Sequence, residues 1–125
     1  MFLAGFSQGA QMTGYMQLVH LDFALGGTII MDGFPLPPLG DMPGASPAAA
    51  KANASYYSAD MNWMIYHGDA DPIFPEAETM AAWDGIFTAL ECPSVLKIRH
   101  TEPGMTHTIT KPEFDMMRLF ISEHS

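Results

Sequence analysis

Three side chains in this sequence have types and spacings that could do chemistry together: Ser7, an aspartate at 69 or 71, and a histidine at 107. Ser7 lies in Gly5-Phe6-Ser7-Gln8-Gly9, after the apolar run Met1-Phe2-Leu3-Ala4 and before a segment with helical periodicity. Strand, G-x-S-x-G and helix, in that order, are the setting of a nucleophile elbow, a turn sharp enough to leave a serine Oγ exposed at its tip. Glycines at 5 and 9 let the strand and helix backbones approach closely on either side. Taken alone, the pattern fits an ordinary strand-to-helix turn equally well. A serine becomes a useful nucleophile only when a base takes its proton. Histidine is suited to that task, with an ordinary pKa of about 6.5. A carboxylate would hold the imidazole in one tautomer and offset its developing charge.

Each partner has rivals. Asp69 and Asp71 both fall in His67-Gly68-Asp69-Ala70-Asp71-Pro72. Asp71 precedes a proline, which keeps its backbone extended, and it is favoured over Asp69, which suits a turn that binds its own backbone. His100 is a weaker candidate for the base than His107. His67 reads as structural, and His20 and His124 as cations near helix C-termini. The spacing of His67, Asp69 and Asp71 matches no strong ligand motif, so neither metal nor cofactor is expected. Cys92 reads as a free thiol without a role, and Tyr56, Tyr57 and Trp63 as packing residues.

The elements that must position these groups follow from periodicity. Met1–Phe6 reads as a buried strand, and Met12, Tyr15, Met16 and Val19 mark one face of a helix over 8–20. Leu25–Met31, closed by Asp32-Gly33, is apolar on both faces, as in the interior of a parallel sheet. Residues 34–61 are rich in proline and turn signals and read as an irregular lid or binding loop. Asn62–His67 is a third strand. Pro75 then starts a helix carrying Met80, Trp83, Phe87 and Leu90, closed by Cys92-Pro93. Ser94–His100 alternates in polarity, which suits an edge strand. Thr110 and Glu113 form a capping box for a last helix striped by Phe114, Met117, Phe120 and Ile121. The expected architecture is a single α/β domain of about four mostly parallel strands with covering helices. Ser7, Asp71 and His107 would then meet at the carboxyl edge of the sheet.

Composition narrows the partners. With 14 acidic against 5 basic residues the net charge is −9, which opposes nucleic-acid binding and docking on anionic membranes. A single cysteine excludes an internal disulfide framework. No run is apolar enough to span a bilayer, and the start lacks the basic region of a signal peptide. A cytoplasmic location is the resulting expectation. The 11 methionines read mainly as adaptable core filling.

Gly-Phe-Ser-Gln-Gly-Ala at 5–10, His-Gly-Asp-Ala-Asp-Pro-Ile-Phe-Pro at 67–75 and Pro-Gly-Met-Thr-His at 103–107 together resemble the phospholipase/carboxylesterase family, which includes acyl-protein thioesterases. The resemblance implies the C-terminal part of an α/β-hydrolase fold. It implies cleavage of a carboxylic ester or thioester through an acyl-serine, with a protein cysteine, a lysolipid or a small alcohol as the group that carries the acyl chain. Ser7 would be nucleophile, Asp71 the orienting acid, His107 the base, and the Gln8 N–H an oxyanion donor. Phe34, Leu36, Leu39, Phe74 and Met105 would lie on the substrate side, with Phe74 where the family usually has a smaller aliphatic residue. Family members also carry an N-terminal half with further strands and a second oxyanion donor. Without it the first strand would present an open edge, suited to self-association or to pairing with that half. The alternatives are a weak or inactive hydrolase fragment and a non-enzymatic interaction module on the same scaffold.

Overall fold

A computed structural model describes residues 1–21, 25–35, 61–89 and 96–125, with residues 19, 20 and 89 described by backbone alone. Four strands form one sheet in the order β1-β2-β3-β4: Phe2–Phe6, Gly27–Met31, Trp63–Gly68 and Leu96–Glu102. Every pairing is parallel. Among the described residues three helices cover the sheet: α1 (Gln8–Tyr15), continued by a π-helical turn over Met16–His20, α2 (Glu76–Ala89) and α3 (Lys111–Glu123). None of the described helices is long and apolar enough to cross a membrane.

Alternation along the buried strands splits the core into two layers. On one face Ile30, Trp63 and Ile65 pack with Ala10 and Leu18 of the first helical segment and with Met80, Trp83, Ile86 and Phe87 of α2. On the other, Ile29, Met31, Met64 and Tyr66 pack with Phe120 of α3 and Met105. Every residue of β2 and β3 is buried, as their continuous apolar character requires. Five methionines (31, 61, 64, 80 and 105) fill this core. Trp63, expected to pack, lies edge-on to Phe87.

Two expected helix faces and one strand end need correction. Helix α1 turns Ala10, Thr13 and Gly14 to the sheet and leaves Met12 54% exposed. Small residues are selected there because the helix runs very close to its neighbours. A Cβ on Gly14 would lie 2.5 Å from the Trp83 ring. In α3, Phe120 is buried, but Phe114 is 51% exposed, since the first turn points this side chain away from the sheet. Pro75 sits just before the first residue of α2, where its carbonyl accepts the Thr79 N–H at 3.0 Å. Strand β4 runs two residues beyond the expected end, through Thr101 and Glu102. Its outward Lys97 and Arg99 alternate with half-buried Leu96 and Ile98, consistent with an edge. The segment expected as a lid, 34–61, falls mostly outside the described residues, as do the α2 end at Cys92-Pro93 and residues Tyr56 and Tyr57.

Candidate active site

Strand β1 delivers Ser7 at its carboxyl end. The Ser7 N–H donates to the Met31 carbonyl at 2.9 Å, so pairing with β2 continues up to the serine itself. The chain then reverses into α1 through φ 58°, ψ −120° at Ser7. A non-glycine residue in such a region stores about 1–3 kcal/mol and persists only where its surroundings enforce it. Gly5 provides the enforcement. A Cβ there would sit 2.1 Å from the Gly9 carbonyl oxygen and 2.5 Å from Thr13 Oγ1. The two motif glycines differ, however. A Cβ on Gly9 would meet nothing within 4 Å among the described residues, so close backbone approach explains Gly5 alone. Gln8 opens α1, where a first-turn N–H has no intrahelical acceptor and carries part of the positive end of the helix dipole.

The turn after β3 carries both aspartates, and each has a task. Asp71 is buried. Its Oδ1 accepts the N–H groups of Ile73 and Phe74 at 2.8 and 3.0 Å. Burial works to raise its carboxyl, but the hydrogen bonds from His107, Phe74 and Ile73 outweigh it and hold the group below the ordinary 3.8. Asp69 instead accepts the Gly104 N–H at 2.6 Å and so ties down the loop that carries the histidine.

That loop runs from Glu102 at the end of β4 to Thr110, which caps α3. Gly104 adopts φ 73°, and the Met105 carbonyl accepts the Ala70 N–H at 3.1 Å. Glu102 Oε1 accepts from Tyr66 Oη at 2.6 Å and from Thr110 Oγ1 at 2.7 Å, joining β3, β4 and the α3 cap. His107 is thereby placed with Nδ1 2.7 Å from Asp71 Oδ2 and Nε2 2.8 Å from Ser7 Oγ. The Nδ1–H donates to the carboxylate, and Nε2 is left to accept from the serine. Phe6 and Phe74 flank the imidazole, with ring centroids 4.9 and 5.7 Å away. The result is a continuous hydrogen-bonded chain from carboxylate to imidazole to hydroxyl, able to draw a proton from Ser7 Oγ.

Among the substrate-side candidates, Phe74 borders His107, and Phe34 is half-buried just past β2. Leu36 and Leu39 lie outside the described residues. Met105 does not face the substrate side. Its side chain is 3% exposed and packs in the core layer with Phe120, because the loop presses directly onto β3 at Gly68. His100 packs against the Tyr66 ring, and His124 Nδ1–H donates to the Phe120 carbonyl at 2.8 Å at the end of α3.

The strand-end rule that locates Ser7, Asp71 and His107 applies equally to β2, where Asp32-Gly33 reads from sequence only as a strand stop. Asp32 is fully buried, at φ 50°, and its Oδ1 accepts the Gly68 N–H at 3.1 Å. Burial raises its carboxyl to about 6. Asp32, His67 and Asp71 bring one ligand atom each within 4.8 Å of one another. His67 Nε2 is engaged with the Phe74 carbonyl, and both Asp71 oxygens are already bonded. The unpartnered atoms in this group are His67 Nδ1 and Asp32 Oδ2, two donors where a tetrahedral zinc needs about four ligands. The arrangement does not fit a metal.

Glu113 is the second buried acid outside the expected site. Thr110 Oγ1 accepts its N–H at 3.3 Å, which is one half of the capping box. The reciprocal half is not made, and both carboxyl oxygens are buried without a hydrogen bond. Burial first, then the charges of Asp32 and Glu102, raise the carboxyl to about 8, against a weak opposing pull from the Thr110 N–H. Folding therefore retains a proton that the unfolded chain loses between pH 4.5 and about 8, so this group erodes stability as pH rises through that window. Glu113→Gln is expected to raise stability by about 2 kcal/mol or more at pH 8 and by almost nothing at pH 4. Urea denaturation of both proteins at the two pH values measures this.

The sequence profile of the phospholipase/carboxylesterase family matches residues 1–125. No curated protein sequence matches the chain. Among solved structures, esterase PE8 shares 24% identity at a TM-score of 0.71, covering 99% of this chain and 50% of its own. SOBER1 from Arabidopsis thaliana shares 22% at 0.71, covering 98% and 52%. Acyl-protein thioesterase 2 from Zea mays shares 18% at 0.71, covering 97% and 54%. The chain thus spans about half the length of these structures, and the likeness is one of α/β-hydrolase fold. With the profile matched from end to end over the serine, aspartate and histidine segments, the chain belongs to the phospholipase/carboxylesterase family.

Proposed function

We propose that this chain carries the catalytic triad of a serine hydrolase acting on acyl esters or thioesters, with Ser7 as nucleophile, His107 as general base and Asp71 as orienting acid. The observation that carries the reading is the unbroken pair of hydrogen bonds, Asp71 to His107 at 2.7 Å and His107 to Ser7 at 2.8 Å. Ser7 Oγ attacks the acyl carbon as its proton passes to His107 Nε2. The Gln8 N–H donates to the developing oxyanion at the start of α1. Collapse of the intermediate expels the alcohol or thiol, which takes the proton from Nε2. Water repeats the sequence, giving its proton to His107 and its oxygen to the acyl group, and Ser7 recovers its hydrogen as the acid leaves. Exposed Ile73, beside Asp71, and half-buried Phe74 give the rim an apolar character suited to an acyl chain. The substrate class, an S-acylated protein or a lysolipid, follows the family and the thioesterase among the similar structures. The test is hydrolysis of matched short-chain esters and thioesters. Turnover by the wild type with none by Ser7→Ala supports the reading. Equal rates for the two proteins oppose it.

A further inference from the structure

Beside Asp71 lies a second, buried histidine that the triad does not use. His67 Nε2 is 2.6 Å from the Phe74 carbonyl oxygen. A carbonyl can only accept, so Nε2 carries the proton and donates it. The bond spans the Asp71-Pro72-Ile73-Phe74 turn, whose N–H groups at 73 and 74 hold Asp71 Oδ1. His67 Nε2 is also 3.7 Å from Asp71 Oδ2, the oxygen that receives the His107 proton. On the other side of the ring, Asp32 Oδ1 is 3.8 Å from Nδ1. That carboxyl is fixed by the Gly68 N–H, so one group faces the ring and also closes the end of β3. His67 Nδ1 and Asp32 Oδ2 are buried with no hydrogen-bond partner. Unsatisfied buried polar atoms cost about 1–3 kcal/mol each. An apolar side chain would fill the same space without that cost, so burial alone does not account for a histidine and an aspartate here.

We propose that His67 and Asp32 are positioning residues that hold the 71–74 turn, and so aim the Asp71 carboxylate at His107. The proposal rests on the triad reading and deepens it. His67 acts by donating to Phe74, and Asp32 by holding its carboxyl 3.8 Å from the far ring nitrogen while it closes the end of β3. The charged or titratable groups around Asp32 are His67 on β3, Asp71 on the following turn, His107 on the β4–α3 loop and Glu113 on α3. A positioning role differs from plain core filling because it must show in the Asp71–His107 hydrogen bond itself.

The experiment uses the proton NMR signal of the His107 Nδ1–H, which a strong bond to a carboxylate moves far downfield and which requires no turnover to observe. The wild type is expected to show that signal. His67→Leu, folded by circular dichroism, loses or broadens it and is modified at Ser7 by a fluorophosphonate about 10–10²-fold more slowly, the cost of a roughly 1 Å misplacement. His67→Gln, whose amide nitrogen reaches the place of Nε2, restores both signal and rate. Asp32→Asn keeps the Gly68 acceptor and tolerates the positive φ, and it shows a weakened signal. It carries the comparison if His67→Leu does not fold. An unchanged signal in His67→Leu or in Asp32→Asn overturns the proposal, as does a wild type with no downfield signal. Failure of the hydrolase reading is recognised separately, by a wild type with the signal intact and no modification of Ser7.

Discussion

Asp71→Asn is expected to slow acylation of Ser7 by on the order of 10³–10⁴ while leaving the fold and substrate affinity nearly unchanged. Each oxygen of Asp71 has a separate task, and the effect follows from that division. Oδ1 accepts two backbone N–H groups, from Ile73 and Phe74. An asparagine must therefore keep its carbonyl oxygen there, which turns its NH₂ toward His107. Nδ1 of His107 becomes an acceptor, and the ring proton moves to Nε2. That proton then faces Ser7 Oγ, 2.8 Å away, where a lone pair is required. The base is present but in the wrong tautomer. Pre-steady-state acylation with a chromogenic ester separates this effect from binding, and a loss confined to the acylation rate is the expected pattern. Asp71→Ala should cost stability as well, because it strands two backbone donors.

Gly5→Ala is expected to prevent stable folding. The added methyl would lie 2.1 Å from the Gly9 carbonyl oxygen and 2.3 Å from its carbon, both backbone atoms of α1 that cannot rotate away. Ordinary overpacking costs about 1–3 kcal/mol, and a clash with helix backbone lies at or above that range. Small domains have only about 5–15 kcal/mol in total, so a large unfolded fraction is expected in the absence of denaturant. Gly9→Ala is the internal control. With nothing among the described residues within 4 Å of its Cβ, it should be neutral or should gain up to about 1 kcal/mol from better helix propensity. Circular dichroism and urea titration of the two variants compare them directly. Equal stability would mean that strand and helix do not meet closely at the elbow.

The parts of the site legible in the sequence are those fixed by strand order. Ser7, Asp71 and His107 each follow a recognisable strand, and in a parallel sheet the ends of such strands share one edge. The rest is decided by packing rather than by hydrophobicity. Met12, Tyr15 and Met16 suggest one face of α1, yet the helix buries Ala10, Thr13 and Gly14, because close approach selects size above apolarity. Met105 has a place beside the histidine loop that suits a binding residue, but that loop is pressed onto Gly68 and the side chain points into the core. Polar Thr101 and Glu102 suggest an early end to β4, whereas each finds a partner, Thr101 with Glu76 and Glu102 with Tyr66 and Thr110. Asp32 and Glu113 give no sign of their burial, since a polar residue at a strand end or in a first helical turn ordinarily meets water. Burial of both is a tertiary outcome that no local pattern signals.

These buried acids also bear on how the site responds to pH. Asp71 is held below its ordinary range despite burial, so its contribution to stability is present at neutral pH and is lost only as pH falls through its lowered pKa. Glu113 works in the opposite sense, since its raised carboxyl costs most at high pH. Asp71 and Glu113 lie in or next to the segments that carry the hydrogen-bonded chain, so loss of structure at either extreme would disturb the Asp71–His107–Ser7 geometry.

The central claim is that Ser7 is a nucleophile activated by His107. Its most direct measurement is intact-mass and peptide mapping after exposure of the folded chain to a fluorophosphonate. A single adduct is expected, on Ser7, formed readily by the wild type and far more slowly by a folded His107→Ala variant. No adduct on Ser7, or a rate indifferent to the loss of His107, would contradict it.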